Sequence, residues 1–306
     1  PLRLYELNER GLLIDGADEA GIGLVTGGRS VLSLPMISDR MDIFCGNENG
    51  MNFLFVNQGN GTFSEVARGY GLDDPGEHAR GVAALDANDD GRFDLIYGNW
   101  EGFHRLFIRQ GDEQFTNVAP PEMARPSRVR TVIAADFDND GYEEIFFNNI
   151  GQPNRLFARR DDAWVQVDIG DAAEPEGLGT GAAVGDFDHD GRLELVVSHG
   201  EAGAQPLTLY HVEPNDHHWL RVRPLTLNGA PARGAVIRLM VGGRLQLRTI
   251  DAGSGYLCQM EPVAHFGLGM TDVVTYVEVQ WPDGSIHRVE DPGVDHTIDV
   301  PHPGRM

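Results

Sequence analysis

The chain has 306 residues, 41% of them hydrophobic, and 47 Asp and Glu against 24 Lys and Arg give a formal net charge of -23. That length and apolar content suit one large folded domain plus a smaller one, and the acidic surplus would repel a phosphate backbone, so nucleic acid is excluded as a partner. No apolar run reaches the roughly 18 to 20 residues of a membrane-spanning helix, so no membrane insertion is expected.

The chain opens at Pro1 rather than Met, without a basic segment followed by an apolar one, and is expected to be a fragment from which an upstream signal peptide or further repeats have been cut away. In chain order, the first run with strand character is Asp42-Ile43-Phe44-Cys45-Gly46-Asn47, followed by Phe53-Leu54-Phe55. The pair returns as Asp94-Leu95-Ile96-Tyr97-Gly98-Asn99 and Arg105-Leu106-Phe107-Ile108, then as Ile145-Phe146-Phe147 and Arg155-Leu156-Phe157-Ala158, then as Leu195-Val196-Val197 and Leu207-Thr208-Leu209-Tyr210. A further run precedes each of the last three pairs, at Gly81–Ala84, Thr131–Ala134 and Ala182–Val184, and a fourth follows near Phe115–Val118 and Trp164–Val167. Three or four short strands per unit, punctuated by Gly and Asn turns and lacking helical periodicity, predict the blades of an all-β propeller. Four units up to residue 216 permit a small ring or an arc of a larger one.

Between the first two runs of the last three units lies an acidic turn, and the turns begin at Asp86, Asp136 and Asp186, fifty residues apart both times. Calcium requires six to eight oxygen ligands, which a tight turn supplies from alternate residues. The expected ligands are Asp86, Asn88, Asp90, the carbonyl of Arg92 and Asp94 in the first turn. The second offers Asp136, Asp138, Asp140, the carbonyl of Tyr142 and Glu144, and the third Asp186, Asp188, Asp190, the carbonyl of Arg192 and Glu194. Gly91, Gly141 and Gly191 make the reversal. An EF-hand is rejected, because its last acid stands at position twelve between helices, whereas here it stands at position nine between strands. Plain Asx-rich hairpin turns are the bland alternative, weakened by three copies in register. In the earliest unit Leu34, Met36 and Ser38 occupy the places of Asp86, Asn88 and Asp90, which predicts a blade without metal.

From residue 217 the pattern changes to longer alternating strands, Trp219–Val222, Ala235–Leu239 and Tyr276–Trp281, with a turn at Pro282-Asp283-Gly284. They predict a second, small β-sandwich-like domain over 217–306 after propeller repeats over 1–216. Cys45 and Cys258, the only cysteines, allow a single bridge, with two buried thiols as the alternative.

The acidic turns, with the turn Asn57-Gln58-Gly59-Asn60-Gly61-Thr62-Phe63, resemble the FG-GAP/VCBS repeats also found in integrin α-subunit heads. The stretches Ala232–Ala235, Gly253–Cys258, Pro262–Gly269 and Trp281–Gly284 resemble the ASPIC/UnbV domain, and the combination is similar to the cartilage acidic protein family and its bacterial relatives. The resemblance implies a secreted calcium-binding protein, extracellular or, in a bacterium, periplasmic, with about three calcium ions and a propeller acting in adhesion or in binding an extracellular protein or glycan.

Other constellations point to no chemistry. Gly177–Gly181 precedes an acidic turn rather than a helix, so a phosphate loop is set aside. His217 and His218 are adjacent and would face opposite sides of a strand. No G-x-S-x-G elbow marks a hydrolase. The leading expectation is a non-enzymatic scaffold; the alternative is an enzyme or biosynthetic accessory protein using the propeller to bind substrate.

Overall fold

Strand order follows from the short apolar runs and the glycines between them: each run is long enough to cross one blade, and each turn returns the chain beside the strand it has just left. The computed structural model describes residues 1–111, 114–200, 203–251 and 255–305. A two-stranded hairpin comes first, β1 (Tyr5–Leu7) with β2 (Leu13–Asp15). Four antiparallel blades follow, each in the order of its strands. The first is β3 (Gly28–Leu34), β4 (Asp42–Asn47), β5 (Phe53–Asn57) and β6 (Phe63–Glu65). The second is β7 (Ala79–Leu85), β8 (Asp94–Asn99), β9 (Arg105–Gln110) and β10 (Gln114–Asn117). The third is β11 (Val129–Ala135), β12 (Glu144–Asn149), β13 (Arg155–Arg160) and β14 (Ala163–Val167). The fourth is β15 (Gly179–Gly185), β16 (Glu194–His199) and β17 (Thr208–Tyr210).

The innermost strands pack in sequence, β3 on β7, β7 on β11 and β11 on β15. Burial falls from centre to rim: β7 and β11 are buried at nearly every position, while the rim strands β10 and β14 bury little. A strand covered on both faces by neighbouring blades has no polar side to show, which is why β11 reads Val-Arg-Thr-Val-Ile-Ala-Ala rather than alternating cleanly. Between the first two blades the rings of Phe44, Tyr97 and Phe107 stack in a row, with successive centroids 5.8 Å apart.

The C-terminal part is a sandwich of two sheets. One holds β18 (His218–Pro224) between β21 (Ala264–Gly269) and β24 (His296–Val300); the other runs β20 (Arg244–Thr249), β19 (Val236–Val241), β22 (Val274–Gln280) and β23 (Ile286–Glu290). Residues of both sheets, among them Leu220, Ile237, Phe266, Val277 and Trp281, share one apolar core. The four-stranded sheet is not independent of the propeller, because Val236 and Leu247 belong to the core of the first two blades.

The bridge expected as one reading of Cys45 and Cys258 is not present. Cys45 is buried on β4 in the first blade, and burial pushes its thiol up to about 11. Cys258 lies instead against Thr131 of the third blade and Ala182 of the fourth. The C-terminal segment thus seats Cys258 on the third and fourth blades, away from the first blade that holds Cys45. Of the ASPIC/UnbV-like stretch Gly253–Cys258, Gly253 and Ser254 lie outside the described residues.

His104 is fully buried, stacked on Phe147 with centroids 5.0 Å apart. Its Nδ1 accepts the N–H of Asn99 at 3.0 Å, so Nε2 carries the proton toward Ser127 Oγ at 2.9 Å. Burial, with Arg155 and Arg105 nearby, lowers its pKa to about 3. An unfolded histidine binds a proton near pH 6.5, so the stability held by neutral His104 is fully present above that pH and is lost as pH falls toward 3. His104→Gln should therefore flatten the dependence of unfolding free energy on pH between about 4 and 6 by about 1.4 kcal/mol per pH unit. Urea melts across that range measure the slope; an unchanged slope contradicts the assignment.

Candidate metal centres in the acidic turns

Each acidic turn joins the innermost strand of a blade to the next, and all three have one backbone shape. The fourth residue, Asp89, Asn139 or His189, and the sixth, Gly91, Gly141 or Gly191, have positive φ, between 58° and 95°. That pair of left-handed residues curls the chain so that the first, third and fifth side chains face inward. The N–H groups of Arg92, Tyr142 and Arg192 donate to Oδ1 of Asp90, Asp140 and Asp190 at 3.0, 2.8 and 2.9 Å, fixing the fifth side chain each time.

What differs is how many carboxylate oxygens the protein itself satisfies. In the first blade Asp42 holds the ninth position, and all its acceptors are used: Oδ2 takes the N–H of Ile37 (2.7 Å) and Ser38 (2.8 Å), while Oδ1 takes the Ser38 hydroxyl (2.7 Å) and the Asn57 N–H (2.9 Å). Donors of the chain close this turn without an ion. In the second blade Asp94 is also committed, Oδ2 to the N–H of Ala87 at 2.9 Å and Oδ1 to that of Arg109 at 2.8 Å. Asp86 is held by the N–H groups of Asp90 and Gly91. Asp86, Asp90 and Asp94 are not among the groups whose ligand atoms converge within 4.8 Å. Asn88 turns its amide toward Asp90 Oδ2 at 3.3 Å.

In the third blade the ninth residue is a glutamate, one methylene longer. Glu144 uses Oε2 to accept the Phe137 N–H at 2.9 Å, and its Oε1 is left over. Asp136, Asp138 and Glu144 converge within 4.8 Å, and Asp136 Oδ1, like Glu144 Oε1, is buried with no hydrogen-bond donor among the described residues. Arg160 closes the outer side, donating to Asp138 and Asp140 at 2.8 Å each. The fourth blade repeats the arrangement: Glu194 Oε2 accepts the Phe187 N–H at 2.7 Å, Asp186, Asp188 and Asp190 converge, and Asp186 Oδ1 is unpartnered.

Leaving charged oxygens buried and unpaired is costly. Burial alone is already costly: it raises Asp86 to about 6 and Asp94 to about 7 against their backbone donors, and burial with mutual repulsion raises Asp136 and Glu144 as a pair. A hard divalent cation with oxygen ligands relieves both burial and repulsion, so the all-oxygen donor set of the second turn fits calcium.

The surroundings of the turns were not legible from their spacing. The C-terminal sandwich lies directly on them. Gly267 N donates to Asp136 Oδ2 at 2.9 Å, His265 Nε2 meets Asn139 Oδ1 at 2.6 Å, and Gly269 N donates to the Asn139 carbonyl at 2.8 Å. Asn139 in turn donates through Nδ2 to the Gly191 carbonyl at 3.0 Å, tying the second turn to the third. Arg221, buried in the sandwich, donates to Asp186 Oδ2 at 3.1 Å, and Arg244 reaches Asp89 at 3.2 Å. The ring of Tyr142 stands under the Arg244 guanidinium, 3.7 Å from centroid to carbon. His217 donates to the Asp138 carbonyl while His218 pairs with Asp295, so the two do face apart. The buried Ser127–His104 contact is packing rather than a nucleophile, since the Ser127 hydroxyl is spent on Asn149 Oδ1 at 2.7 Å.

The FG-GAP-like repeat family model matches residues 39–97, 86–147 and 136–197, together just over half of the chain. The chain belongs to the FG-GAP-like repeat family. Its sandwich carries a second match, to ASPIC and UnbV, over residues 226–305. This FG-GAP-like chain is 52% identical to cartilage acidic protein 1 of Mus musculus, over 90% of this chain and 45% of that protein. It is 52% identical to the Homo sapiens protein over 90% and 44%, and 47% identical to the Xenopus tropicalis protein over 99% and 50%. The chain thus spans about half the length of the curated relatives it matches. Among solved structures it is similar to the Dos1 propeller (TM-score 0.36, 9% identity, 96% of this chain and 74% of that one) and to a mutant of AofleA from Arthrobotrys oligospora (TM-score 0.40, 10% identity, 87% and 88%).

The Ala264–Gly269 strand places a glycine where nothing larger fits: a Cβ on Gly267 would stand 2.3 Å from Asp136 Oδ2 and 2.4 Å from the Asn139 backbone. Gly267→Ala should destabilise the protein by about 1–3 kcal/mol or more through overpacking of this joint. Gly69→Ala, with open space around its Cβ, should stay within about 0.5 kcal/mol of wild type. Equal effects of the two on thermal melting would contradict the joint.

Proposed function

We propose that this chain is a calcium-binding, non-enzymatic propeller scaffold of an extracellular or periplasmic protein, whose ions stiffen the blades and the joint to the sandwich so that the outer surface can bind a protein or glycan partner. The observation that carries the reading is the set of buried, unpartnered carboxylate oxygens, Asp136 Oδ1, Glu144 Oε1 and Asp186 Oδ1, converging in consecutive turns. Such oxygens are tolerated where a cation completes them. Placement outside the cytoplasm and a role without catalysis are supported by the relatives, which carry the name cartilage acidic protein.

The second turn is expected to bind calcium more tightly than the first. Asp136 Oδ1 and Glu144 Oε1 are free of donors there, whereas both oxygens of Asp94 already accept backbone N–H groups. After chelation, titration with calcium in a calorimeter should show binding. Each site should add about 2.7 kcal/mol of stability when free calcium is 100-fold above its dissociation constant. Asp138→Asn with Glu144→Gln should delete the tightest site and its share of the rise in melting temperature; Asp94→Asn should change the titration less. Absence of calcium heat together with an unmoved melting temperature would overturn the reading.

A further inference from the structure

The third turn differs from the others in one neighbour. By strand register Leu95, Ile145 and Leu195 oppose Phe107, Phe157 and Tyr210, so the next residue outward is Ile108 in the second blade, Ala158 in the third and His211 in the fourth. At that strand position only the fourth blade carries an imidazole; the imidazoles at the second turn, His217 and His265, meet the Asp138 carbonyl and Asn139 Oδ1 rather than a carboxylate. The ligand atoms of Asp188, Glu194 and His211 all lie within 4.8 Å of one another. Two further residues along, where Arg160 covers the second turn, the fourth blade has Glu213, so no arginine of that strand competes for the carboxylates.

The other acids of this turn are engaged elsewhere. Asp190 pairs with Arg192, and Asp186 gives Oδ2 to Arg221 and the Gly191 N–H. Asp186 Oδ1 stays without a donor although the residue is only 4% exposed, and Asp186 joins the cluster beside Asp188. His211 Nδ1 stands 3.4 Å from Glu194 Oε1, longer than the 2.7 to 2.9 Å of the His–carboxylate hydrogen bonds at His199, His218 and His302. That separation is close to the roughly 3.3 Å between neighbouring ligands of a tetrahedral ion bound at about 2.0 to 2.1 Å. Glu194 is buried, whereas Asp188 and His211 are exposed, leaving one side of the site open to solvent.

We infer that the third turn is a mixed carboxylate–imidazole site, in which Asp188, Glu194 and His211 bind a borderline divalent ion of the zinc class in preference to calcium. Imidazole is a favoured ligand of such ions, whereas calcium takes hard oxygen ligands. Three protein ligands leave a fourth position for water or for a donor from a partner, the pattern of an open zinc site. The inference rests on the reading of the acidic turns as cation sites, and it concerns the selectivity of the third.

Cobalt(II), whose visible absorption reports imidazole ligation and low coordination number, is the probe. The chelated chain is titrated with Co2+ in the presence of excess calcium, then competed with Zn2+. One equivalent of Co2+ should bind with visible bands, resist calcium and be displaced by Zn2+. His211→Gln should weaken Co2+ and Zn2+ binding by more than about tenfold while leaving the calcium-dependent rise in melting temperature at the second turn. Asp138→Asn with Glu144→Gln should do the reverse. Co2+ binding that His211→Gln leaves intact, or that calcium displaces at equal concentration, overturns the inference while leaving the calcium reading standing. Loss of the calcium response with His211-dependent Co2+ binding retained overturns only the calcium reading.

Discussion

The structure depends on burying negative charge. Strand turns carrying three or four carboxylates are placed between the blades and the sandwich, where desolvation and mutual repulsion both oppose ionisation. Three things set the outcome: the backbone N–H groups aimed into each turn, the arginines laid over it, and the number of oxygens left without a donor. The balance among the three changes from blade to blade.

That progression orders the turns of the four blades. In the first blade the turn is closed by donors of the chain, because Ser38 supplies a hydroxyl and an N–H where the others place an acid. The second blade keeps an aspartate at the ninth position, too short to reach past the backbone donors that hold it. The third and fourth blades use glutamate there, and the extra methylene lets one oxygen bond the backbone while the other points into the turn. One chain length and a few substitutions thus convert the same hairpin from a self-satisfied turn to one with donor-free carboxylate oxygens.

The sandwich shares the second turn with its candidate ion. Asp136 gives Oδ2 to Gly267 N and to Gly141 N, at 2.9 and 3.0 Å, and retains Oδ1. On the calcium proposal, an ion at Oδ1 would draw the turn together around the same carboxylate that holds the sandwich strand, and binding and docking would be thermodynamically linked. Arg221 and Asp186 make the corresponding tie at the third turn. The requirement for glycine at 267 follows from the tie between Gly267 and Asp136.

Repetition made the blades legible. Apolar runs of blade-crossing length, separated by Gly and Asn and repeated every fifty residues, determine antiparallel strands in order, because neighbouring strands need only a short turn to pair. The acids at alternate positions and the glycine at the sixth likewise determine the shape of each turn, a purely local matter. Strands lacking that repetition, Arg244–Thr249, Ile286–Glu290 and His296–Val300, escaped notice, since a half-exposed strand in a small sandwich has a weak pattern. Which oxygens remain unpaired, that Cys258 packs against the third and fourth blades rather than the first that holds Cys45, that Gly267 must lie against Asp136, and that His211 joins Asp188 and Glu194 were decided only by tertiary structure. Each depends on groups brought together from distant parts of the chain, and distance in space, unlike periodicity, leaves no mark in the order of residues.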